Sequence, residues 1–140
     1  MQIRFNTPIL LSVPVLISLV ITLMPVPSSA FVPEDIERLK GTKKCPGCDL
    51  RGADLRGLNL SESNLEGANL MGANLEGVLL EEATLDDASC EKTNFRKAKL
   101  HATSMDHATI DGADFTGADL QDVTWIDGRV CKKGSIGVCK

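Results

Sequence analysis

The chain has 140 residues, enough for one domain, with ordinary charge and apolar content and a formal net charge of −4. Aromatic residues are scarce, four Phe, one Trp and no Tyr, so a core has to be assembled from Leu and Ala instead of large rings. Arg4 is the single charge in residues 1–30, which leaves −5 on the remainder and argues against a nucleic-acid binder with its basic stripe.

Residues 1–30 read as a secretory signal peptide. Arg4 supplies the positive start, an apolar run extends from Pro8 to Met24, and Pro25 and Pro27 break it. Ser28, Ser29 and Ala30 offer the small residues a signal peptidase reads, so cleavage is expected after Ala30. An uncleaved membrane anchor is the competing reading, since the run approaches spanning length. No twin Arg and no Cys after the run support a Tat signal or a lipoprotein anchor. With the leader removed, no stable membrane insertion is expected.

Residues 31–47 form an N-terminal capping segment. Residues 32–41 predict a short helix, with Pro33 at its start, acids in its first turn, and Gly41 as its stop. Ile36 and Leu39 share one face of it. Cys45-Pro46-Gly47-Cys48 follows, a CxxC whose possible readings are a redox pair, half of a metal site, or a local disulfide.

From Cys48 the chain falls into blocks of five: CDLRG, ADLRG, LNLSE, SNLEG, ANLMG, ANLEG, VLLEE, ATLDD, ASCEK, TNFRK, AKLHA, TSMDH, ATIDG, ADFTG, ADLQD, VTWID. Sixteen run without an insertion, to Asp127. The third position is always apolar, the first small or apolar, and the second mostly Asp, Asn, Ser or Thr. A period of five suits neither a helix nor a strand. It suits a chain that turns a corner after each block, with the first and third side chains on one side of an extended segment. Gly at many fifth positions fits a tight turn.

These blocks resemble the pentapeptide-repeat family, whose pattern is A(D/N)LXX, over residues 48–127. The resemblance implies an all-β fold, a right-handed quadrilateral β-helix of about four coils, here with a short N-terminal capping helix. Residues twenty apart then stack. Leu50, Leu70, Cys90 and Ile110 make one interior column, and Leu55, Leu75, Phe95 and Phe115 a second. Leu60, Leu80, Leu100 and Leu120 make the third, and Leu65, Leu85, Met105 and Trp125 the fourth. Phe95 is expected against Phe115.

The outer positions divide by charge. On the first two faces Arg51, Arg56, Lys92, Arg96 and Lys97 stand among glycines with Glu76, Glu91 and Asp111, and Arg56, Glu76 and Arg96 read as an alternating ladder. The other two faces carry Glu62, Glu66, Glu81, Glu82, Asp86, Asp87, Asp106, Asp122 and Asp127 with no Lys or Arg among those positions. Glu66, Asp86 and Asp106 form a like-charge column, which costs stability. This acidic region is either a solvated surface or an interaction face for a basic partner or a divalent cation. His101 and His107 sit beside it on adjacent faces.

Residues 128–140 leave the pattern as a C-terminal cap. A rod of stacked coils is roughly 20 Å long at strand spacing, too far for Cys45, Cys48, Cys131 and Cys139 to share one zinc ion. Disulfides Cys131–Cys139 and Cys45–Cys48 would staple the caps in an oxidising compartment, with Cys90 left free in the core. The CxxC before the repeats and the Cys-containing tail resemble an exported subgroup of the family, which implies the cyanobacterial periplasm or the thylakoid lumen.

No residue set at catalytic spacing appears, and nothing requires a cofactor or a metal. The expectation is a non-enzymatic structural or protein-interaction module, monomeric or weakly self-associating, with an unassigned protein partner and no nucleic acid. Two alternatives stand beside it. One is a DNA mimic, as in family members that shield DNA gyrase. The other is a redox or metal role through the CxxC or the acidic face.

Overall fold

The computed structural model describes residues 32–140; the expected signal peptide lies outside the described residues. They open with helix α1 (Pro33–Thr42). Pro33 takes a position where its missing N–H costs nothing, and Glu34 and Asp35 face the positive end of the helix dipole. Gly41 does not end the helix. Lys43 does, in the left-handed region at φ 56, with its N–H donating to the Leu39 carbonyl. Ile36 and Leu39 are buried against the solenoid that follows.

That solenoid is a ladder with a step of twenty residues. Lys44 bridges Asn64 in parallel, Asn64 bridges Thr84, Thr84 bridges Ser104 and Ser104 bridges Thr124. The same step joins Asp49 to Asn69, Asp54 to Asn74 and Asn59 to Leu79, which defines four sides. The first side holds residues 48–52 and their stacked equivalents, the second 53–57, the third 58–62 and the fourth 63–67. Residues 43–47 already form a fourth side, one block ahead of Cys48. Each side contributes a lone bridge because its five residues leave little extended backbone between corners.

The corners explain the residue preferences. The first-position N–H of one block donates to the third-position carbonyl of the block before, as in Ala53 to Leu50 at 3.1 Å and Ala73 to Leu70 at 2.8 Å. This is a β-turn whose second central residue, the fifth position, needs positive φ. Gly72 meets the need at φ 67. Glu82 at φ 58, Lys92 at φ 56 and His107 at φ 58 are driven into the same region by the ladder, against their own preference. The second-position Asp or Asn closes the turn from outside. Asn64 Oδ1 accepts the Glu66 N–H at 3.0 Å, and Asn94 does the same for Arg96.

Inside, the expected columns form. Leu50, Leu70 and Cys90 are fully buried above half-buried Ile110, and Leu60, Leu80, Leu100 and Leu120 line the third side. The rings of Phe95 and Phe115 stack with centroids 4.9 Å apart, and Trp125 meets Phe115 edge-on at 5.2 Å. Each buried Leu contributes about 1.5–3 kcal/mol, which is how a core nearly without aromatics holds together. Beyond the repeats, Val130 bridges Thr124 and Ile136 bridges Asp119, both antiparallel, so the tail folds back over the third and fourth sides.

Buried hydroxyls show a rule of reach. Thr93 donates to the Leu70 carbonyl at 2.8 Å and Thr103 to the Leu80 carbonyl at 2.7 Å, both twenty-three residues back. Ser63 stands in the same inward position, yet its Oγ has no partner. Its equivalent acceptor would belong to residue 40, which lies in α1 and not in a rung. Thr103→Val is therefore expected to lower stability by about 1 kcal/mol in denaturant titrations, while Ser63→Ala is neutral or stabilising because it removes an unsatisfied buried group.

Candidate interaction faces

The cysteines sit at the two ends and in the middle. Cys45 and Cys48 are joined in a disulfide with Cα atoms 5.3 Å apart, and Cys131 and Cys139 in another with Cα atoms 4.9 Å apart. Among the described residues the grouping suited to a metal is Asp35, Cys45 and Cys48. In the disulfide neither sulfur is a thiolate, so the CxxC presents no thiolate ligand in this form. Asp35 has a structural task instead. Its carboxylate accepts the Asp49 N–H at 2.9 Å and pairs with Arg38 at 3.2 Å, fastening α1 to the first side. The sequence marked Asp35 only as an acid in the first turn of the helix and gave no sign of its burial. Cys90 is the free cysteine, buried. Burial first, and then the Glu91 charge, push its thiol up to about 12.

The first two sides neutralise their own charge. Arg51 grips Asp49 through two hydrogen bonds of 2.8 and 2.6 Å, and Arg56 grips Asp54 at 2.8 and 2.7 Å. Arg96 reaches Asp114 at 3.1 Å. The alternating ladder of Arg56, Glu76 and Arg96 is thus corrected: both arginines pair with second-position aspartates, which the corner already holds rigid, and not with Glu76. The Arg56 contact, through its hydrogen bonds, holds the Asp54 carboxyl down to about 2. Asp114 lies at about 2 as well, held chiefly by hydrogen bonds from Thr116 and then from Arg96.

The third and fourth sides do not. Asp86, Asp106, Asp122 and Asp127 have neighbours. Asp86 Oδ1 accepts from the Ser104 hydroxyl and, at 3.0 Å, from the Asp106 N–H. Asp106 lies 3.3 Å from His107, Asp122 lies 3.7 Å from His101, and Asp127 lies 3.4 Å from Arg129. The column of Glu66, Asp86 and Asp106 is therefore not a bare repulsive stack, because Asp86 is engaged as a backbone acceptor. Glu62, Glu66, Glu81, Glu82 and Asp87 form no ion pair among the described residues. The two histidines stay apart, His101 turned to the Gln121 carbonyl and His107 to Asp106.

Comparison with known proteins agrees with this architecture. The pentapeptide repeats family matches residues 48–87, 73–110 and 83–122, in 8 copies. The chain belongs to the pentapeptide-repeat family, whose members fold as right-handed quadrilateral β-helices and generally serve as structural or interaction modules. Among solved structures, HetL from Nostoc sp. strain PCC 7120, a protein involved in heterocyst differentiation regulation, is 30% identical with a TM-score of 0.62. The match covers 62% of this chain and 40% of HetL, so it spans well under half of that protein. Rfr23 from Cyanothece 51142 is 22% identical with a TM-score of 0.53, over 64% of this chain and 82% of that one, and shows the fold alone. A pentapeptide repeat protein from the Arabidopsis thaliana thylakoid lumen is 27% identical over 60% of this chain and 66% of its own, with a TM-score of 0.37. No curated protein matches.

Two measurements check this account. Cys90 should resist iodoacetamide at pH 8 in the folded, oxidised protein and react once denaturant is added, because its thiolate is suppressed and enclosed. Asp54 and Asp114 have folded values below the ordinary 3.8, so their contribution is present above about pH 4 and is lost as the pH falls towards 2. Asp54→Asn combined with Asp114→Asn should flatten the acid limb of a plot of stability against pH.

Proposed function

We propose that this protein is an exported, non-enzymatic docking module of about four coils, and that its third and fourth sides receive a basic protein partner. The observation that carries this reading is the electrostatic difference between sides. On the first and second sides Asp49, Asp54 and Asp114 are clamped by Arg51, Arg56 and Arg96 of the same surface, and Lys92 and Lys97 stand beside the remaining Glu76, Glu91 and Asp111, whereas the outer positions of the third and fourth sides hold no Lys or Arg. Glu62, Glu66, Glu81, Glu82 and Asp87 remain without cation partners among the described residues, on a scaffold that holds them at rung spacing. Such a surface steers a cationic partner and fixes its register.

The filled interior supports a role on the outside. Leucine columns occupy the axis of the solenoid, so chemistry-bearing groups stand on its faces and ends. Nucleic acid would be repelled by the net charge. Export to a periplasm or thylakoid lumen is supported by the apolar run at 8–24 with its small-residue site, and by an even set of cysteines paired at the two ends. The module works as a monomer or weak homo-oligomer.

The test is affinity capture from periplasmic and lumenal extracts, with the oxidised protein beside a Glu66→Lys, Glu81→Lys, Glu82→Lys variant. A basic protein held by the first bait, released by salt and lost from the second is expected. Identical proteins on both baits would return the acidic sides to plain solvation.

A further inference from the structure

Two imidazoles stand among the carboxylates of the third and fourth sides, at His101 and His107. His101 takes the fourth position of the third side. Glu81 is one rung back in its column, and the Glu82 N–H donates to the His101 carbonyl at 3.0 Å, which ties the two blocks together. The His101 ring Nδ1 lies 3.1 Å from the Gln121 carbonyl and 3.7 Å from Asp122. Lys99 and Asp119, bridged at the second positions of the same side, bring one charge of each sign.

His107 takes the fifth position of the fourth side. Its column runs Asp87, His107, Asp127, so a carboxylate stands one rung away in each direction. Backbone bonds hold those rungs in register: the Asp87 N–H meets the Asp106 carbonyl at 2.9 Å and the His107 N–H meets the Ile126 carbonyl at 3.2 Å. Asp106 lies 3.3 Å from the His107 ring. Arg129 is engaged with Asp127 at 3.4 Å, and Asp86 accepts from the Ser104 hydroxyl, which leaves Asp106 and Asp87 to His107. The side chains of His101 and His107 are 44% and 75% exposed, so both rings exchange protons directly with solvent.

We infer that these two histidines make docking on the third and fourth sides dependent on pH: a basic partner is held while the imidazoles are neutral and released as they gain protons. This rests on the docking of a basic partner proposed for the same sides. Imidazole ordinarily changes charge between about pH 5 and 8, and carboxylates near about pH 4. Between those limits the carboxylates keep their charge and the histidines alone switch. A protonated His101 does for Asp122, and a protonated His107 for Asp106, what Arg56 does for Asp54 on the second side. Each also sets a positive charge where a basic partner would place its own, and like charges across an interface oppose binding. The effect is graded along the rod. Glu62 and Glu66 lie two rungs from the histidines, roughly 10 Å at strand spacing and about one Debye length. Their attraction persists, so binding weakens without vanishing.

The experiment is a binding titration of the oxidised full chain with the acetylated, amidated peptide AKLKGAKLKG, whose lysines stay charged throughout, at about pH 7.5 and about pH 5.5 in the same low salt. The dissociation constant is expected to rise about fivefold at the lower pH. His101→Gln combined with His107→Gln should bind at the tighter level at both pH values. His101→Arg combined with His107→Arg should bind at the weaker level at both. Unchanged circular dichroism of the variants shows that the solenoid is intact. Equal native binding at the two pH values overturns the inference and leaves the docking reading standing. A glutamine variant that keeps the native pH dependence also overturns it, since the titrating groups are then carboxylates. Native protein that does not bind the peptide even at the higher pH removes the docking reading, and this inference with it.

Discussion

Everything in this molecule hangs on a hydrogen-bond ladder whose step is twenty residues. Because each side contributes a lone bridge, no element has stability of its own, and each rung exists through its neighbours. The ladder is strong enough to hold Glu82, Lys92 and His107 in a backbone region that glycine fills more cheaply. Those residues show that register, repeated along the axis, outweighs local conformational preference.

The same ladder sorts chemistry outward. First and third positions are consumed by the core, and the second position is bound into the corner. Function is left to the fourth and fifth positions of each side and to the two ends. On two sides the second-position aspartates trap nearby arginines, because the corner fixes the carboxylate and the guanidinium needs only to close on it. On the other two sides every charged outer residue of the repeats other than histidine is a carboxylate, with both positions acidic at Glu81-Glu82 and Asp86-Asp87, so no such closure by an arginine of the same positions is possible. The result is a rod with a neutralised half and a charged half along its length.

Much of the fold was legible from the period alone. A five-residue repeat places Leu70 over Leu50 and Phe115 over Phe95 with no further information, and the helix face of Ile36 and Leu39 follows from ordinary spacing. What the period does not contain is the identity of partners within reach. Arg56 has Glu76 one rung away and Asp54 two residues away, and only side-chain geometry decides for the aspartate. Asp35 and Ser63 were opaque for a related reason. Both sit where the regular lattice meets α1, so their surroundings are set by how the helix docks and not by the repeat. Side three and side four showed their acidity in the sequence; that Asp86 serves as an acceptor for Ser104 and Asp106 did not show.

The ladder's step also sets how such a chain can change its length. Adding one whole turn leaves every side with the residues it had and merely lengthens the rod. Adding a single block would preserve every corner, every inward leucine and every backbone bond, and so would be nearly silent for folding. Yet all residues downstream would be displaced by a quarter turn. Carboxylates of the later rungs would leave the sides of the earlier ones, and the charged half would become a spiral. The surface pattern is thus a phase relation, and it can be lost by an insertion that the core does not notice.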